Sequence, residues 1–264
     1  SVNPYQVQLA RHMPYIGPGL KLETFMHDWQ EAVREHGLDD VPFGQSEGIA
    51  LPCAVRQPAP GAPSLFISAG IHGDEPAGPL ALLRFLKEGR LPAGIGAVLM
   101  PLLNPEGVAA KTREHPVYGD LNRDYHAFAS PHTRAQRAFL KELGLSYRLA
   151  ICLHEDWESP GYYLYEHIPG GHPSIGREIL AAVEPVCGID MAPIIEGVPA
   201  DRGLINRDIS KIDPEEIGGW PEALYLGEHY AGMVYTTEAP SARELEQRIA
   251  AHAAALEVCM QVFA

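Results

Sequence analysis

The chain has 264 residues, 46% of them hydrophobic and 20% charged, with a formal net charge of −14. That length and balance predict a soluble globular chain folded as a single domain over 1–264. The acidic excess, with no cluster of lysines and arginines, excludes a general nucleic-acid binder and a polybasic membrane patch.

The first residues, SVNPYQVQLARHMPYIG, lack the apolar stretch of a secretion signal, and no apolar run reaches spanning length. Cys53, Cys152, Cys187 and Cys259 are scattered and form no CxxC pair, which suits a reducing compartment. A cytoplasmic location is expected, and the start at Ser1 leaves a removed leader open. A helical period runs over 22–36 and strands are predicted at 49–55 (IALPCAV) and 64–70 (SLFISAG). A helix over 76–88, a strand at 95–103 and a helix over 131–144 follow. Next come strands at 147–153 and 162–167, a helix over 172–185, a strand at 232–237 and a helix over 240–262. Such alternation means an α/β fold, a largely parallel sheet between helices, and ligands in these folds bind beyond the carboxyl ends of the strands.

The segment 190–231 has little periodicity and reads as an irregular loop or small insertion beside the site. Its Arg202, Arg207 and Lys211 are either solvated loop charges or a preference for an acidic substrate group.

Four polar clusters fall at strand ends. His72 and Glu75, in SAGIHGDEPAG, follow the strand at 64–70, and Pro76 places Glu75 near a helix start. A catalytic zinc typically takes three protein ligands from His and carboxylate, and His154, directly after the strand LAICL, is the best third candidate. A lone His and Glu three apart is weak, but a further His at a second strand end strengthens it. Arg113, Asn122 and Arg123 lie in the loop AKTREHPVYGDLNRDY, as solvated loop groups or as oxyanion and carboxylate binders. Glu238, after MVYTT, is either a helix-entry acid or a general base not used as a ligand. Glu155, Asp156 and Glu158 rank below it, because neighbours of a ligand on an extended segment point away.

The ordered set HGDE at 72–75, NPEG at 104–107, KTR at 111–113, LNRD at 121–124, LHED at 153–156 and TEAP at 237–240 resembles the zinc carboxypeptidase superfamily. That M14-like group includes aspartoacylase and succinylglutamate desuccinylase. The resemblance implies a mixed, mainly parallel twisted sheet sandwiched between helices, with one catalytic Zn2+ held by His72, Glu75 and His154. It also implies Arg113 on the oxyanion, Asn122 and Arg123 on the substrate's terminal carboxylate, and Glu238 as general base and acid. The mobile tyrosine of digestive-type members has Tyr225 and Tyr230 as its nearest matches, and Tyr225 is assigned to the substrate. The HED after the strand and the short chain look more like the compact bacterial branches.

The activity this implies is that of a metallocarboxypeptidase cutting an amide next to a free carboxylate, on a peptide or acyl-amino-acid substrate. The rival is an N-acyl amino acid deacylase of the aspartoacylase/succinylglutamate desuccinylase kind. A non-catalytic binding protein is disfavoured by the intact set of ligands and Glu238.

Overall fold

The computed structural model describes residue 15 and residues 17–206 and 212–264. Helix α1 (Leu22–Glu35) buries Phe25, Trp29, Ala32 and Val33, a spacing that puts all four on one face. Strand β1 (Asp39–Asp40) follows, then a hairpin of β2 (Gly44–Ser46) and β3 (Ile49–Leu51), then β4 (Ala54–Arg56). The run predicted as one strand over 49–55 is therefore two. Pro52, which has no N–H for a ladder, separates β3 in the hairpin from β4 in the main sheet.

Strand β5 (Ser64–Ala69) leads to α2 (Ala77–Lys87), then β6 (Gly96–Met100) and a short helix α3 (Pro105–Ala110). A loop with one 3-10 turn at Leu121–Arg123 connects to α4 (Pro131–Leu143). Ser130 caps α4 by accepting the Thr133 N–H, and Gly144 ends it in the left-handed conformation. Then come β7 (Leu149–Asp156), β8 (Tyr163–His167), α5 (Gly176–Cys187) and a hairpin of β9 (Ile194–Ile195) and β10 (Val198–Pro199). Strand β11 (Leu204–Asn206), α6 (Glu222–His229), β12 (Val234–Pro240), α7 (Leu245–Met260) and a 3-10 turn at Gln261–Phe263 complete the described elements.

Eight strands form the main sheet in the order β1-β4-β6-β5-β7-β12-β8-β11. Strands β6, β5, β7 and β12 run parallel at its centre, while β4 and β8 run antiparallel to them. The sheet is thus mixed and mainly parallel, as expected. Leu65 and Ile67 of β5 and Leu149, Ile151 and Leu153 of β7 face one layer, packing with Trp29 of α1, Leu82 of α2, Ile179 of α5 and Leu256 of α7. Phe66, Ala150, Cys152 and Val234 face the other, against Leu140 of α4 and Leu226 of α6. Burial on both faces explains why these strands read as unbroken apolar runs.

Two boundaries differ where it matters for function. Strands β7 and β12 continue to Asp156 and Pro240, past the predicted ends at 153 and 237, because each supplies the other's ladder partner. His154 and Glu238 are therefore strand residues set opposite each other in register. The second difference is 190–231, predicted as irregular. It contains a hairpin, the edge strand β11 and helix α6, each too short to reveal a period in sequence. Arg207 and Lys211 lie outside the described residues.

Candidate active site

The chain leaves β5 through Gly70, whose φ of +67° favours glycine, and turns over the start of α3. Asn104 accepts the Gly107 N–H while its own amide donates to the Ile71 carbonyl at 3.1 Å, tying the two turns together. A side chain at Gly73 would collide with the Gly107 backbone, and one at Gly107 with the Asn104 side chain, so this approach needs glycine at both positions. The NPEG motif thus shapes the HGDE turn.

That turn aims His72 and Glu75 at His154. His72 Nδ1 lies 2.7 Å from Glu75 Oε1, and His154 Nδ1 lies 3.1 Å from Glu75 Oε2. All three donor atoms fall within 4.8 Å of one another, and the residues are 2%, 4% and 3% exposed. Two imidazoles and one carboxylate in this proximity suit a metal ion. Burial would raise the Glu75 carboxyl, but His72 and His154 hold it well below the usual carboxylate range. Burial and Arg113 pull His72 down, and Glu75 with Asp120 more than reverse that, to about 9.

The other ring nitrogen of His72, Nε2, faces Asp120 Oδ1 at 3.1 Å. A carboxylate on the far nitrogen is the usual support of a metal-binding histidine, since it fixes the tautomer and ring orientation. Asp120 also accepts the Asn122 N–H at 2.8 Å and pairs with Arg113 Nη2 at 3.5 Å. Burial alone would raise its carboxyl, yet His72 and Arg113 hold it far below its ordinary value. Sequence reasoning missed Asp120. The signal was available, because any metal-binding histidine calls for such an acceptor and the loop GDLNRD carries one.

Arg113 donates from Nη1 to Glu75 Oε1 at 3.3 Å. Asn122 Oδ1 accepts the Glu222 N–H at 2.9 Å, which turns its amide NH2 away from α6. Arg123 donates to the Asn122 carbonyl at 2.9 Å. All three line one cleft of about 300 Å³, with His72, Glu75, His154 and Glu238. Burial, with Glu75 and Asp156, pushes the Glu238 carboxyl up, against the pull of His154 and Arg113. The cleft therefore joins the three metal-ligand candidates with Arg113, Asn122, Arg123 and Glu238, and leaves out Tyr225, Tyr230 and Arg202.

Tyr225 is a correction. It is 5% exposed on α6, packs against Tyr125, Phe128 and His229, and is absent from the cleft lining. Tyr230 joins the same aromatic group. The tyrosines on the cleft are Tyr163 and Tyr165 of β8, which sequence reasoning passed over because nothing local marks them. Tyr163 stands opposite Glu238 in register and donates its hydroxyl to Asp156 Oδ2 at 2.9 Å.

The acids beside His154 divide by strand alternation. Glu155 also borders the cleft, but its carboxylate turns to the opposite layer, where it accepts Arg248 Nη1 at 2.5 Å and the Ala77 N–H at 3.3 Å. Asp156 shares the face of His154 and lines the cleft, so the expectation that it points away holds for Glu155 alone. Among the remaining histidines, His167 reaches the cleft, and His252 is buried behind it near the Tyr162 hydroxyl and Thr237. His115 and His132 are buried around Glu106 as a second His/Glu group.

Three comparisons bear on this arrangement. The sequence pattern of the succinylglutamate desuccinylase/aspartoacylase catalytic domain matches residues 61–192, half of the chain. No curated protein sequence matches it. Among solved structures, a protein from Shewanella amazonensis provisionally called a metallopeptidase is 26% identical, with a TM-score of 0.79 over 92% of this chain and 94% of that one. One from Shewanella denitrificans, provisionally named in the same way, is 24% identical, with a TM-score of 0.81 over 92% of this chain and 91% of the other. A carboxypeptidase A from Helicoverpa armigera shares the fold at 17% identity, with a TM-score of 0.65 over 88% of this chain and 70% of its own.

Proposed function

The chain belongs to the succinylglutamate desuccinylase/aspartoacylase family of metallohydrolases, and from that premise we propose that it is a zinc-dependent carboxypeptidase that hydrolyses an amide bond beside a free carboxylate. The observation that carries this reading is one cleft holding the buried His72–Glu75–His154 donor set, an unligated Glu238 and the pair Arg123 and Asn122. The donor set fits zinc because His72 keeps Asp120 on its far nitrogen, leaving Nδ1 to coordinate. Held by His72, Glu75 and His154, a zinc ion would supply Lewis-acid polarisation of the scissile carbonyl and would acidify a water toward neutral pH.

The remaining work falls to side chains. Glu238 takes the proton of the attacking water on a carboxylate oxygen and returns it to the leaving nitrogen. Arg113, held between Glu75 and Asp120, donates to the oxyanion as it forms. Arg123 and the Asn122 amide grip the substrate carboxylate and set the register of the scissile bond, with Asn122 oriented by the Glu222 N–H.

A second reading, deacylation of an N-acyl amino acid, draws on the family match itself. Zinc-loaded protein tested on C-terminally free peptides, their amides and N-acyl amino acids separates the two. Cleavage of free but not amidated peptides is the expected outcome; turnover of N-acyl amino acids alone would overturn the peptidase reading.

A further inference from the structure

Behind the metal-ligand set lies a charged pair that the proposed reaction leaves without a task. Glu155 of β7 and Arg248 of α7 are 4% and 1% exposed, and Arg248 Nη1 donates to Glu155 Oε1. The other nitrogens of Arg248 are engaged as well: Nε donates to the Arg243 carbonyl at 2.9 Å and Nη2 to the Tyr15 hydroxyl at 2.8 Å. Tyr15 in turn donates its backbone N–H to the Lys111 carbonyl at 2.7 Å, two residues before Arg113. Stability alone explains such a pair poorly, because desolvating two buried charges costs about as much as their attraction returns. Its place in the fold explains it better.

Glu155 adjoins the ligand His154, and strand alternation puts the two side chains on opposite faces of β7. Its second oxygen, Oε2, accepts the Ala77 N–H at 3.3 Å. Ala77 opens α2, two residues after the ligand Glu75, and Pro76 before it has no side chain able to cap the helix. The Glu155 carboxylate therefore caps α2 from a different element, where negative charge also suits the helix dipole. Packing leaves little slack at this contact, since a Cβ at Gly78 would lie 3.1 Å from Leu153 Cβ and 3.3 Å from Ala69 Cβ. One carboxylate, anchored by Arg248, thus spans the two segments that carry Glu75 and His154, whose facing atoms stand 3.1 Å apart.

We propose that Glu155 and Arg248 are positioning residues of the metal site: the Glu155 carboxylate, held from α7 by Arg248, locks the start of α2 to the end of β7 and thereby sets the separation of Glu75 and His154. This role rests on metal binding by His72, Glu75 and His154 and is independent of which amide is cut. Both side chains act through the ligands, from the face of β7 opposite His154.

Two double variants test this without leaving a buried charge unpaired. Glu155→Met with Arg248→Met puts apolar chains in place of the pair and removes the acceptor for Ala77, an exchange that buried ion pairs often tolerate without loss of stability. Glu155→Gln with Arg248→Met keeps an acceptor for the Ala77 N–H. Chelator competition for zinc, the visible spectrum of the cobalt-loaded protein and urea unfolding are measured on the full chain, with Glu106→Gln as the control for lost stability away from the site. The doubly Met variant is expected to bind zinc at least roughly tenfold more weakly, as when other groups that orient metal ligands are lost. Its cobalt bands should shift, reporting a changed ligand arrangement. The Gln variant should fall between it and the unsubstituted protein, and Glu106→Gln should match the unsubstituted protein in affinity and spectrum. Unchanged zinc affinity and cobalt bands in the doubly Met variant overturn the proposal, and so does an equal loss in Glu106→Gln, which would mean that affinity merely follows stability. Failure of both double variants to fold would make the pair purely structural and overturn it too. No zinc binding by the unsubstituted protein would overturn the metal site itself, and the positioning role with it.

Discussion

His72, Glu75 and His154 meet where β5 and β7 end, whereas Glu106, His115 and His132 meet where α3, the following loop and α4 come together; each group brings two imidazoles and one carboxylate within 4.8 Å. The residue types are the same, and the surroundings are not. In the first group, the far nitrogen of His72 points at the Asp120 carboxylate, so the hydrogen sits there and Nδ1 is left to coordinate. In the second, His115 Nδ1 accepts the N–H groups of Val117 and Tyr118, at 3.1 and 3.2 Å. Those two donors put the ring hydrogen on Nε2, the atom that faces Glu106 at 3.9 Å, and a nitrogen bearing hydrogen is no ligand. His132 holds Glu106 at 2.9 Å, with no acceptor on its own Nδ1 among the described residues. The first group opens on the substrate cleft, and the second is not part of its lining. A donor set becomes a metal site only when its neighbours leave the donor lone pairs free and a ligand can reach it.

The widest separation between the two groups should appear in metal affinity. Replacing His154 by Ala is expected to weaken zinc binding by more than about 100-fold, beyond the range of outer-shell changes, while His132→Ala keeps one tight zinc per chain. Chelator competition reads both values, and equal losses would mean that both groups bind the metal. Asp120→Asn, which keeps an acceptor but removes its charge, should weaken zinc by about 10- to 100-fold. The same titration checks it, and unchanged affinity would mean Asp120 supports only the fold.

Stability should divide the groups the other way. Glu106→Gln is expected to lower unfolding stability by about 1–3 kcal/mol in urea, through its partly buried contact with His132, and to leave zinc affinity unchanged. The smallest effect concerns Glu222, buried under the cleft between Ser68 and Gln136. Burial pushes its carboxyl above the ordinary value of 4.5, so the folded chain holds that proton more firmly than the unfolded one. Its contribution is therefore full below about pH 4.5 and is lost as pH rises through the folded value. Glu222→Gln, which can keep both hydrogen bonds, should remove this loss and make the variant the more stable of the two proteins at pH 8. Parallel melting curves for the two proteins from pH 4 to 8 would contradict that assignment.

Much of the first group was legible in sequence because strand ends announce themselves. SLFISAG and LAICL are apolar runs that stop at polar residues, which places His72, Glu75 and His154 at neighbouring ends of a parallel sheet. Glu238 followed by the same logic from MVYTT. What lies at right angles to the chain was harder to read. The register that sets Glu238 against both His154 and Tyr163 depends on two strands from distant parts of the sequence. The second His/Glu group was invisible for the same reason, since α4 and the turn at 115–118 approach only through packing. Tyr225 was misplaced because a tyrosine near the final glutamate carries no sign of which side of its helix is buried, and α6 turns it into the core.

In the proposed reaction Glu238 moves the proton while His72, Glu75 and His154 hold the metal. Its most direct test compares the zinc content and peptide hydrolysis of the unsubstituted protein with those of Glu238→Gln. One zinc per chain is expected in both proteins, with a fall in kcat of at least about 100-fold in the variant. Retained turnover in Glu238→Gln, or loss of zinc together with activity, would contradict it.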